Sequence, residues 1–366
     1  MKIKKIFQSL FKTIFYKLFK LCYGKIREIN NFDKINVKSV VVENIKSDVF
    51  PEKKYKIYNI PNGRIYTDTI QNVAIIKNNY LVPNVSFQQI DGELKSSSFN
   101  NALNIGTPRL KKNINGTIFS LVQGASGNNY FHFLFDVIAR LKLYQQKNSL
   151  DEIDYFYVPG TYEWQKKIFK TFKIESNRLI DSQKIRHIKG DKIIAVDHPW
   201  YFKGTMQNEV FNVPSWIVKW LREKFLNMHV KFNCSDKVFI DRSESKFNHC
   251  KLQNNDEIIN FLKLKGFESY KVGQLDFFQQ IYLFNNAKII IGPHGAAHTN
   301  IVFCKPKTNI IEIIPDTHPS KKCSRLSEIL NLNYLRIKTP KLENNNIHGD
   351  IKFNIDELKN IIDKII

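Results

Sequence analysis

The chain has 366 residues, enough for two domains of ordinary size, and 43% of them are hydrophobic and 13% aromatic. This composition is that of a globular protein and excludes a mainly disordered chain. The 56 Lys and Arg residues against 34 Asp and Glu residues give a formal net charge of +22. Such an excess indicates an anionic partner, which leaves nucleic acid, an acidic membrane surface and a phosphorylated substrate as candidates.

The first 27 residues predict a basic amphipathic helix. Eight of them are Lys or Arg, none is acidic, and apolar residues recur at helical spacing. The apolar stripe contains Ile3, Ile6, Phe7, Leu10, Phe11, Ile14, Leu18, Leu21 and Cys22, with Lys5, Lys12 and Lys20 opposite. Lysines interrupt it well short of the ~20 residues that span a bilayer, and no uncharged core or cleavage site of a signal peptide follows. We expect residues 1–30 to form a helix that lies on an anionic membrane surface through residues 1–27; packing on the protein itself or on a partner is the alternative.

Residues 31–205 predict an N-terminal α/β domain. The predicted elements are, in order, a linker (30–59), short strands (within 66–85 and 116–121), a helix (129–146), a strand (153–158), a helix (163–172) and a strand (192–196). The alternation of strands and helices in the second half of this domain favours a parallel sheet.

Residues 206–355 predict a second α/β domain, and residues 356–366 a closing helix. We expect the crossing between the domains within residues 199–214, which have no clear periodicity. A serine cap then predicts a helix over residues 215–228. The elements that follow are strands at 238–241, 269–272, 289–291 and 310–314, and helices at 256–264, 277–285 and 296–303.

The segment from Lys288 to Ile314 has the layout of a phosphate-binding site. An apolar, β-branched strand is broken by Gly292-Pro293-His294-Gly295, after which a helix can begin at Ala296. The first N–H groups of a helix have no partner within it and attract an anion, and Gly292 and Gly295 allow positive φ and close approach of a ligand. A tight turn between a core strand and a helix, without a ligand, is the alternative. Glu312, inside the next apolar strand, needs polar partners, which a ribose diol could supply.

Several separated motifs in the same order resemble the family 61 glycosyltransferases. They are NNYFHFLFDVIARL (128–141), FIDRSESK (239–246), NNDEIINFL (254–262), LDFFQQIYLFNNAKIII (275–291) and GPHGAAHTNIVF (292–303). The resemblance covers roughly residues 124–315. It implies a GT-B fold, in which two Rossmann-like domains face a cleft, here preceded by the N-terminal amphipathic helix. It also implies inverting transfer from a nucleotide sugar, usually a UDP-sugar, with the acceptor on the side of the N-terminal domain.

The resemblance assigns the donor site to the C-terminal domain. Arg242 would hold the diphosphate with two hydrogen bonds from the end of its strand, and Lys246 would share the charge. The expected nucleotide-sugar-binding residues are Arg242, Lys246, Gly292, His294, Gly295, Ala296, Thr299, Asn300 and Glu312, with residues 272–277 near the uracil. The family usually has a further arginine about eight residues after Arg242, where this chain has His249, Cys250 and Lys251. A second cationic contact at that place is therefore in question; Lys251 is the substitute that this chain offers, although a lysine cannot make the bidentate contact of an arginine.

His132 and Asp136 are candidates for the acid–base chemistry. Their i, i+4 spacing places both on one face of the predicted helix. Apolar neighbours of Asp136 would raise the pKa of its carboxyl group to a value suited to a general base, with His132 as a binder or alternate base. The alternative is a helix-surface Asp beside a core-edge His.

The sequence predicts no metal and no cofactor other than the nucleotide sugar. His294 and His298 have H-x-x-x-H spacing but lack the Glu that follows the first His of zinc enzymes, and there is no Asp-x-Asp motif. The five cysteines are scattered and form no C-x-x-C pair, so we expect them to be reduced, in the cytosol.

Together these patterns predict a hexosyl- or pentosyltransferase at the inner face of the membrane. Its acceptor would be a hydroxyl of a glycan or lipid-linked glycan in the synthesis of lipopolysaccharide or capsule. A non-catalytic, membrane-associated nucleotide-sugar-binding protein is the alternative. A basic nucleic-acid-binding protein is a further one, although no nucleic acid is expected because no helix-turn-helix, zinc finger or RNP-like pattern is visible.

Overall fold

The structure, a computed structural model, describes residues 2–29, 35–68, 72–90, 93–122, 129–201, 210–244, 250–342 and 349–365, and side chains from residue 12 on. The chain divides into two compact units, residues 1–209 and 210–366. The crossing expected within residues 199–214 contains this boundary and lies partly outside the described residues.

A mixed sheet of nine described strands is the centre of the first unit. The strands of this unit are β1 (Lys38–Val42), β2 (Tyr55–Pro61), β3 (Arg64–Tyr66), β4 (Ala74–Lys77), β5 (Tyr80–Leu81), β6 (Gln88–Ile90), β7 (Glu93–Lys95), β8 (Lys112–Ser120), β9 (Tyr155–Val158), β10 (Leu179–Asp181) and β11 (His187–Val196). The sheet order is β10-β9-β8-β11-β3-β4-β5, β2 pairs with β1 and β11, and β6 and β7 form a separate pair. Strands β8 to β11 pair in parallel, as the αβ alternation predicted, and the other pairs are antiparallel.

The α-helices described in the first unit are short except for the first one. They are α1 (Lys2–Tyr23), α2 (Ala102–Ile105), α3 (Tyr130–His132), α4 (Ala139–Gln145) and α5 (Glu163–Lys170). Asn129 caps α3, since its side chain accepts a hydrogen bond from the backbone N–H of His132. Between α3 and α4 the helix predicted over 129–146 widens into a π-helix, Phe133–Ile138, whose six residues are all buried. Such widened turns are frequent at functional sites.

The C-terminal part of helix α1 packs on the first unit. Phe19 is buried, and the hydroxyl of Tyr23 accepts a hydrogen bond from the backbone N–H of Lys111 at 3.2 Å. On the predicted apolar stripe Ile14, Leu18 and Leu21 remain 65%, 52% and 85% exposed. Within the described ranges, no helix combines the length and the apolar character needed to cross a bilayer.

The second unit contains a parallel five-stranded sheet of doubly wound order. Its strands are β12 (Lys237–Ile240), β13 (Glu268–Tyr270), β14 (Ile289–Pro293), β15 (Asn309–Pro315) and β16 (Asn333–Thr339). All pairs are parallel and the order is β13-β12-β14-β15-β16. In sheets of this 2-1-3-4-5 order, ligands bind beyond the carboxyl ends of the strands where the winding reverses, which is here between β12 and β14.

The α-helices of the second unit agree with the predicted ones, apart from one that was not predicted. They are α6 (Ser215–Phe225), α7 (Asn255–Leu264), α8 (Phe277–Asn286), α9 (Lys322–Leu330) and α10 (Ile355–Ile365). The sequence did not predict α9. The serine cap was wrong, because Pro214 occupies the N-cap and Ser215 already belongs to α6. The helix predicted over residues 296–303 is a 3₁₀-helix, Ala296–Phe303.

One face of this sheet is covered by α7 and α10. Ile311 and Ile313 of β15 belong to the apolar cluster on that face, together with Ile258 of α7 and Leu358 of α10. Because side chains alternate along a strand, Glu312 lies on the other face. On that face its carboxylate contacts Cys323 of α9.

Candidate active site

The switch point of the second sheet brings Arg242 to the glycine loop, residues 292–295. Strands β12 and β14 are neighbours in parallel register, with Phe239 opposite Ile291. Their carboxyl ends therefore lie side by side, and Arg242, two residues beyond β12, donates a hydrogen bond from Nη1 to the carbonyl oxygen of His294. Arg242 is buried, and burial lowers the pKa of its guanidinium. The end of β12 and the glycine loop are thus in direct contact.

The loop glycines are required for close packing. Neither Gly292 nor Gly295 uses the positive φ that glycine allows, and Gly295 is extended at φ 174° and ψ −177°. A Cβ atom at Gly295 would overlap the guanidinium of Arg242. One at Gly292 would lie 2.7 Å from Cβ of Ile240, too close for any real contact.

A second cation, Lys322, reaches the same loop from α9. It is the first residue of that helix and is buried, and its Nζ donates a hydrogen bond to the carbonyl oxygen of Gly295 at 2.9 Å. Burial lowers the pKa of its ammonium group, although Cys323 and Glu312 oppose this effect. Sequence reasoning missed Lys322, because nothing in the local pattern distinguishes it from its neighbour Lys321.

Glu312 is the centre of a buried hydrogen-bond network. Its Oε1 accepts from Nδ1 of His294 at 2.5 Å and from Sγ of Cys323 at 2.9 Å, and its Oε2 accepts from the hydroxyl of Tyr334 at 2.5 Å. Burial acts to raise the pKa of Glu312, but the attraction and hydrogen bond of His294 outweigh it and hold the pKa well below its usual range. The carboxylate is only 1% exposed. A ribose contact stays a prediction.

His294, Glu312 and Cys323 are also residue types that bind zinc. Their possible ligand atoms lie within 4.8 Å of one another. However, the separations of 2.5 and 2.9 Å to Oε1 are hydrogen-bond lengths, shorter than the roughly 3.3 Å that tetrahedral coordination of zinc imposes on neighbouring ligands. The geometry is that of a carboxylate with three proton donors. Metal independence itself stays a prediction.

The remaining predicted donor-site residues differ in their surroundings. Ala296 is exposed, and Asn300 is buried and donates from Nδ2 to Oε1 of Gln280 at 2.8 Å. Thr299 is buried, and its hydroxyl has no hydrogen-bond partner among the described residues. Neither ring nitrogen of buried His298 has one there either, and burial lowers the pKa of this ring to about 3. Lys246, like His249, lies outside the described residues.

The first unit contains the predicted His132–Asp136 pair. Nδ1 of His132 is 2.8 Å from Oδ2 of Asp136, and Nε1 of Trp200 donates to Oδ1 at 2.6 Å. Nε2 of His198 lies 3.7 Å from Oδ2. The fully buried Asp136 thus has partners on both oxygens. His132 keeps 13% of its side chain exposed.

The raised pKa expected for Asp136 is wrong. Burial does act to raise it, but the charge and hydrogen bond of His132 and the contact with His198 together leave the pKa of Asp136 well below its usual range. A buried, ionised carboxylate bonded to Nδ1 fixes the tautomer of the imidazole and leaves Nε2 as the ring atom that can take up a proton. Asp136 therefore holds the ring of His132 through Nδ1.

Two of the residues that contact Asp136, namely His198 and Trp200, could have been identified from the sequence. His198 and Trp200 follow β11, the last parallel strand of the first sheet, just beyond its carboxyl end. Side chains at such ends commonly contact ligands. Arg140, fully buried and attracted by Asp136, gives no such signal, since it looks like a surface residue of the predicted helix.

The second unit is, by its fold and its site, a doubly wound α/β structure with a cationic, glycine-lined switch point of the kind that binds phosphorylated ligands. The model of the glycosyltransferase 61 family matches residues 130–311, a range that contains both His132–Asp136 and the glycine loop. The chain belongs to the glycosyltransferase 61 family. It is therefore a glycosyltransferase, which implies a nucleotide-sugar donor and an acceptor. A search among curated proteins gives no match.

Proposed function

We propose that the protein is an inverting glycosyltransferase that moves a hexosyl or pentosyl group from a nucleotide sugar, in the first instance a UDP-sugar, to a hydroxyl group. The acceptor is a glycan or lipid-linked glycan of a surface polysaccharide such as lipopolysaccharide or capsule. The observation that carries this proposal is Arg242 on the glycine loop at the switch point, inside the range that matches the family. A guanidinium at this place can donate two parallel hydrogen bonds to the oxygens of a diphosphate.

The proposed arrangement is GT-B. Residues 31–205 would form the acceptor side and residues 206–355 the donor side, each with its own α/β sheet. The family match includes parts of both units, which supports a reaction that uses both.

In the proposed reaction His132 is the base. Nε2 takes the proton from the acceptor hydroxyl while that oxygen attacks the anomeric carbon opposite the leaving diphosphate. Asp136 holds the ring through Nδ1 and stabilises the imidazolium that forms. Arg242 stabilises the negative charge that develops on the leaving phosphate oxygen. No step requires a metal ion, and the proposal includes none.

The proposed location is the cytosolic face of a membrane, where α1 lies on anionic lipid. The exposed Ile14, Leu18 and Leu21 support this, as does the excess of basic residues in the first 27. The same surface could instead contact a partner protein, and binding to lipid vesicles distinguishes the two.

A panel of nucleotides tests the donor site. We expect one of UDP, GDP, CDP and TDP to stabilise the full-length protein in thermal-shift and calorimetric measurements, equally with and without Mg²⁺. Arg242→Ala should abolish this effect. Arg178→Ala is the matched control, because Arg178 also donates to backbone carbonyls, those of Leu150 and Ile153, but lies in the first unit.

The absence of any nucleotide effect on the wild type would overturn the proposed function. Nucleotide binding without transfer or hydrolysis of any nucleotide sugar would instead favour the non-catalytic nucleotide-sugar-binding protein.

A further inference from the structure

The loop that directly follows β11 is fixed by the neighbouring strand β2. The carboxylate of Asp197 accepts hydrogen bonds from the hydroxyl of Tyr58 at 3.1 Å and from the backbone N–H of Lys56 at 3.0 Å. The hydroxyl of Tyr55 donates to the carbonyl oxygen of Pro199 at 2.7 Å. Three residues of β2 therefore hold the loop in place, together with the side chains that it presents to its surroundings.

This loop contains a histidine whose tautomer is determined by its hydrogen bonds. Nδ1 of His198 accepts from the backbone N–H groups of Trp200 at 3.2 Å and of Tyr201 at 2.8 Å. A ring nitrogen that accepts from two donors carries no proton, so the imidazole is neutral and its proton is on Nε2. Burial also lowers the pKa of this ring to about 4. Nε2 lies 3.7 Å from Oδ2 of Asp136, a distance for electrostatic attraction and not for a hydrogen bond.

The carboxylate of Asp136 is bordered by groups that present hydrogen to it. The indole Nε1 of Trp200, which can only donate, bonds Oδ1 at 2.6 Å, and Nε2 of His198 faces Oδ2. Arg140, which is buried, is attracted by the same carboxylate. Such surroundings favour the ionised carboxylate, which can only accept, so the hydrogen between Oδ2 and Nδ1 of His132 belongs to the imidazole.

We propose that Trp200 and His198 are positioning residues, which act through Asp136 to hold His132 in the tautomer with its proton on Nδ1 and to set how strongly the pair binds a further proton. This inference rests on the proposed function and deepens it, because it names the residues behind the base. We expect the larger effect from Trp200. It makes the shorter contact with Asp136, and its ring also stacks on that of His132, with centroids 6.2 Å apart and planes 20° from parallel.

Nuclear magnetic resonance of the full-length protein with ¹⁵N-labelled histidine tests this inference without a substrate. The shifts of Nδ1 and Nε2 report the tautomer of His132, and their change with pH reports proton uptake by the His132–Asp136 pair. His132→Gln identifies the signals. In the wild type we expect the proton on Nδ1. In Trp200→Phe, which keeps an aromatic ring and removes the donor, proton uptake should occur about 1 pH unit higher, because the carboxylate loses a charged hydrogen bond.

Two further variants separate this effect from packing. Trp164→Phe is the matched control, since Trp164 packs on the same π-helix through Phe133, with ring centroids 4.8 Å apart, and has no hydrogen bond to Asp136 within the described part of the chain. It should leave proton uptake unchanged. His198→Asn keeps an acceptor for the two backbone N–H groups and removes the hydrogen that faces Asp136, so it should shift proton uptake in the same direction by a smaller amount.

Proton uptake at the same pH in Trp200→Phe, His198→Asn and wild type would overturn the inference, even if both variants were less stable. An equal shift in Trp164→Phe would also overturn it, because the effect would then come from packing. In the proposed reaction the acid limb of the kcat profile should move to higher pH by the same amount in Trp200→Phe. Shifted proton uptake in a protein that binds no nucleotide would uphold the positioning of His132 and overturn the proposed function.

Discussion

Asp136 and His132 form a dyad in which the burial of one residue determines the role of the other. Asp136 is fully buried and bonded on both oxygens, so it cannot reach an acceptor hydroxyl. His132 is partly exposed, and its Nδ1 is held by the carboxylate. In the proposed reaction the two tasks of a base are therefore divided: Asp136 carries the negative charge and His132 contacts the acceptor hydroxyl.

Asp136→Asn should lower kcat for sugar transfer by about 10²- to 10⁴-fold, since an amide neither fixes the same tautomer nor stabilises the imidazolium. KM for the donor and calorimetric nucleotide binding should stay unchanged, because these depend on the second unit. His132→Ala should have a similar effect, and the double variant should be little worse than either single one.

Steady-state kinetics and calorimetry on the same preparations check this prediction. Asp181→Asn is the control, because Asp181 also accepts hydrogen bonds on both oxygens, from Thr161 and from the backbone of Gln183. Equal turnover of Asp136→Asn and wild type would remove the dyad from the reaction. An equal loss of activity in the control would mean that the substitution acts through folding.

The sequence predicted the His132–Asp136 pair but not its electrostatics. Helical spacing is local and places the two side chains on one face, whereas the complete burial of Asp136 and its contacts with Trp200 and His198, more than 60 positions away, depend on the tertiary fold. The same holds for Glu312. Its place in an apolar strand predicted that it needs polar partners, but the sequence did not show that Tyr334 and Cys323 are two of them.

Helix α1 has two apolar faces with different surroundings. Phe19 and Tyr23 pack on the first unit, and the Tyr23 ring lies edge-on to His187 at 5.1 Å. Ile14, Leu18 and Leu21 lie on the exposed stripe. Deleting the helix would remove both faces at once, so a loss of function after deletion would not distinguish membrane binding from stability.

Substituting the exposed stripe separates the two effects. The triple variant Ile14→Gln, Leu18→Gln, Leu21→Gln should lose at least about tenfold in affinity for vesicles that contain anionic lipid, because it replaces three of the nine apolar residues of the stripe with polar ones. Its melting temperature should stay within a few degrees of wild type. The double variant Leu110→Gln, Leu264→Gln is the control, since these leucines are 82% and 87% exposed elsewhere. Vesicle sedimentation that is equal for the triple variant and wild type would contradict a membrane role of this face.

Some elements escaped sequence analysis for identifiable reasons. Strands β1 and β2 lie in a polar, lysine-rich stretch, which indicated a linker. They are stabilised by non-local pairing that the local sequence does not show: β1 pairs with β2, and β2 pairs with β11. The helix α9 begins at Lys322 among polar residues and has few apolar positions. By contrast, β14 and β15 were predicted correctly, because continuous β-branched runs are typical of strands buried on both faces. The π-helix Phe133–Ile138 has no sequence signature.

The whole molecule combines a formal net charge of +22 with several buried, neutral histidines. Burial lowers the pKa of His187 and of His198 to about 4, and that of His298 to about 3, with nearby cations acting in the same direction. The cations are Arg64 and Lys111 for His187, Arg140 for His198, and Lys322 and Arg242 for His298, and the imidazoles of His132 and His294 face His198 and His298 and act in the same direction when protonated. Attraction by Asp136 and Glu312 opposes the effect at His198 and His298, and a hydrogen bond to the carbonyl of Arg109 opposes it at His187.

These histidines predict that the free energy of unfolding decreases as the pH falls from about 6.5 to about 4. In this window the unfolded chain binds protons at these positions, with an ordinary pKa near 6.5, while the folded chain does not, so acid favours unfolding. Each ring should contribute on the order of 1–2 kcal/mol at pH 5. Asp136 and Glu312 add to this decrease only below about pH 5, where the unfolded carboxylates begin to bind protons while the lowered pKa values keep the folded ones ionised.

Denaturant unfolding at pH 7, 6 and 5 measures the slope, and His298→Leu isolates one contribution to it. This variant should be at least as stable as wild type at pH 7, since neither ring nitrogen of His298 has a hydrogen-bond partner among the described residues. It should also lose less stability between pH 7 and pH 5, by the amount that one buried histidine contributes. In this pH range the net positive charge changes equally in the folded wild type and the folded variant. Charge repulsion therefore cannot account for a difference between their pH slopes. Identical pH slopes for variant and wild type would show that His298 already binds a proton in the folded state, and the charge balance around the glycine loop would then have to include it.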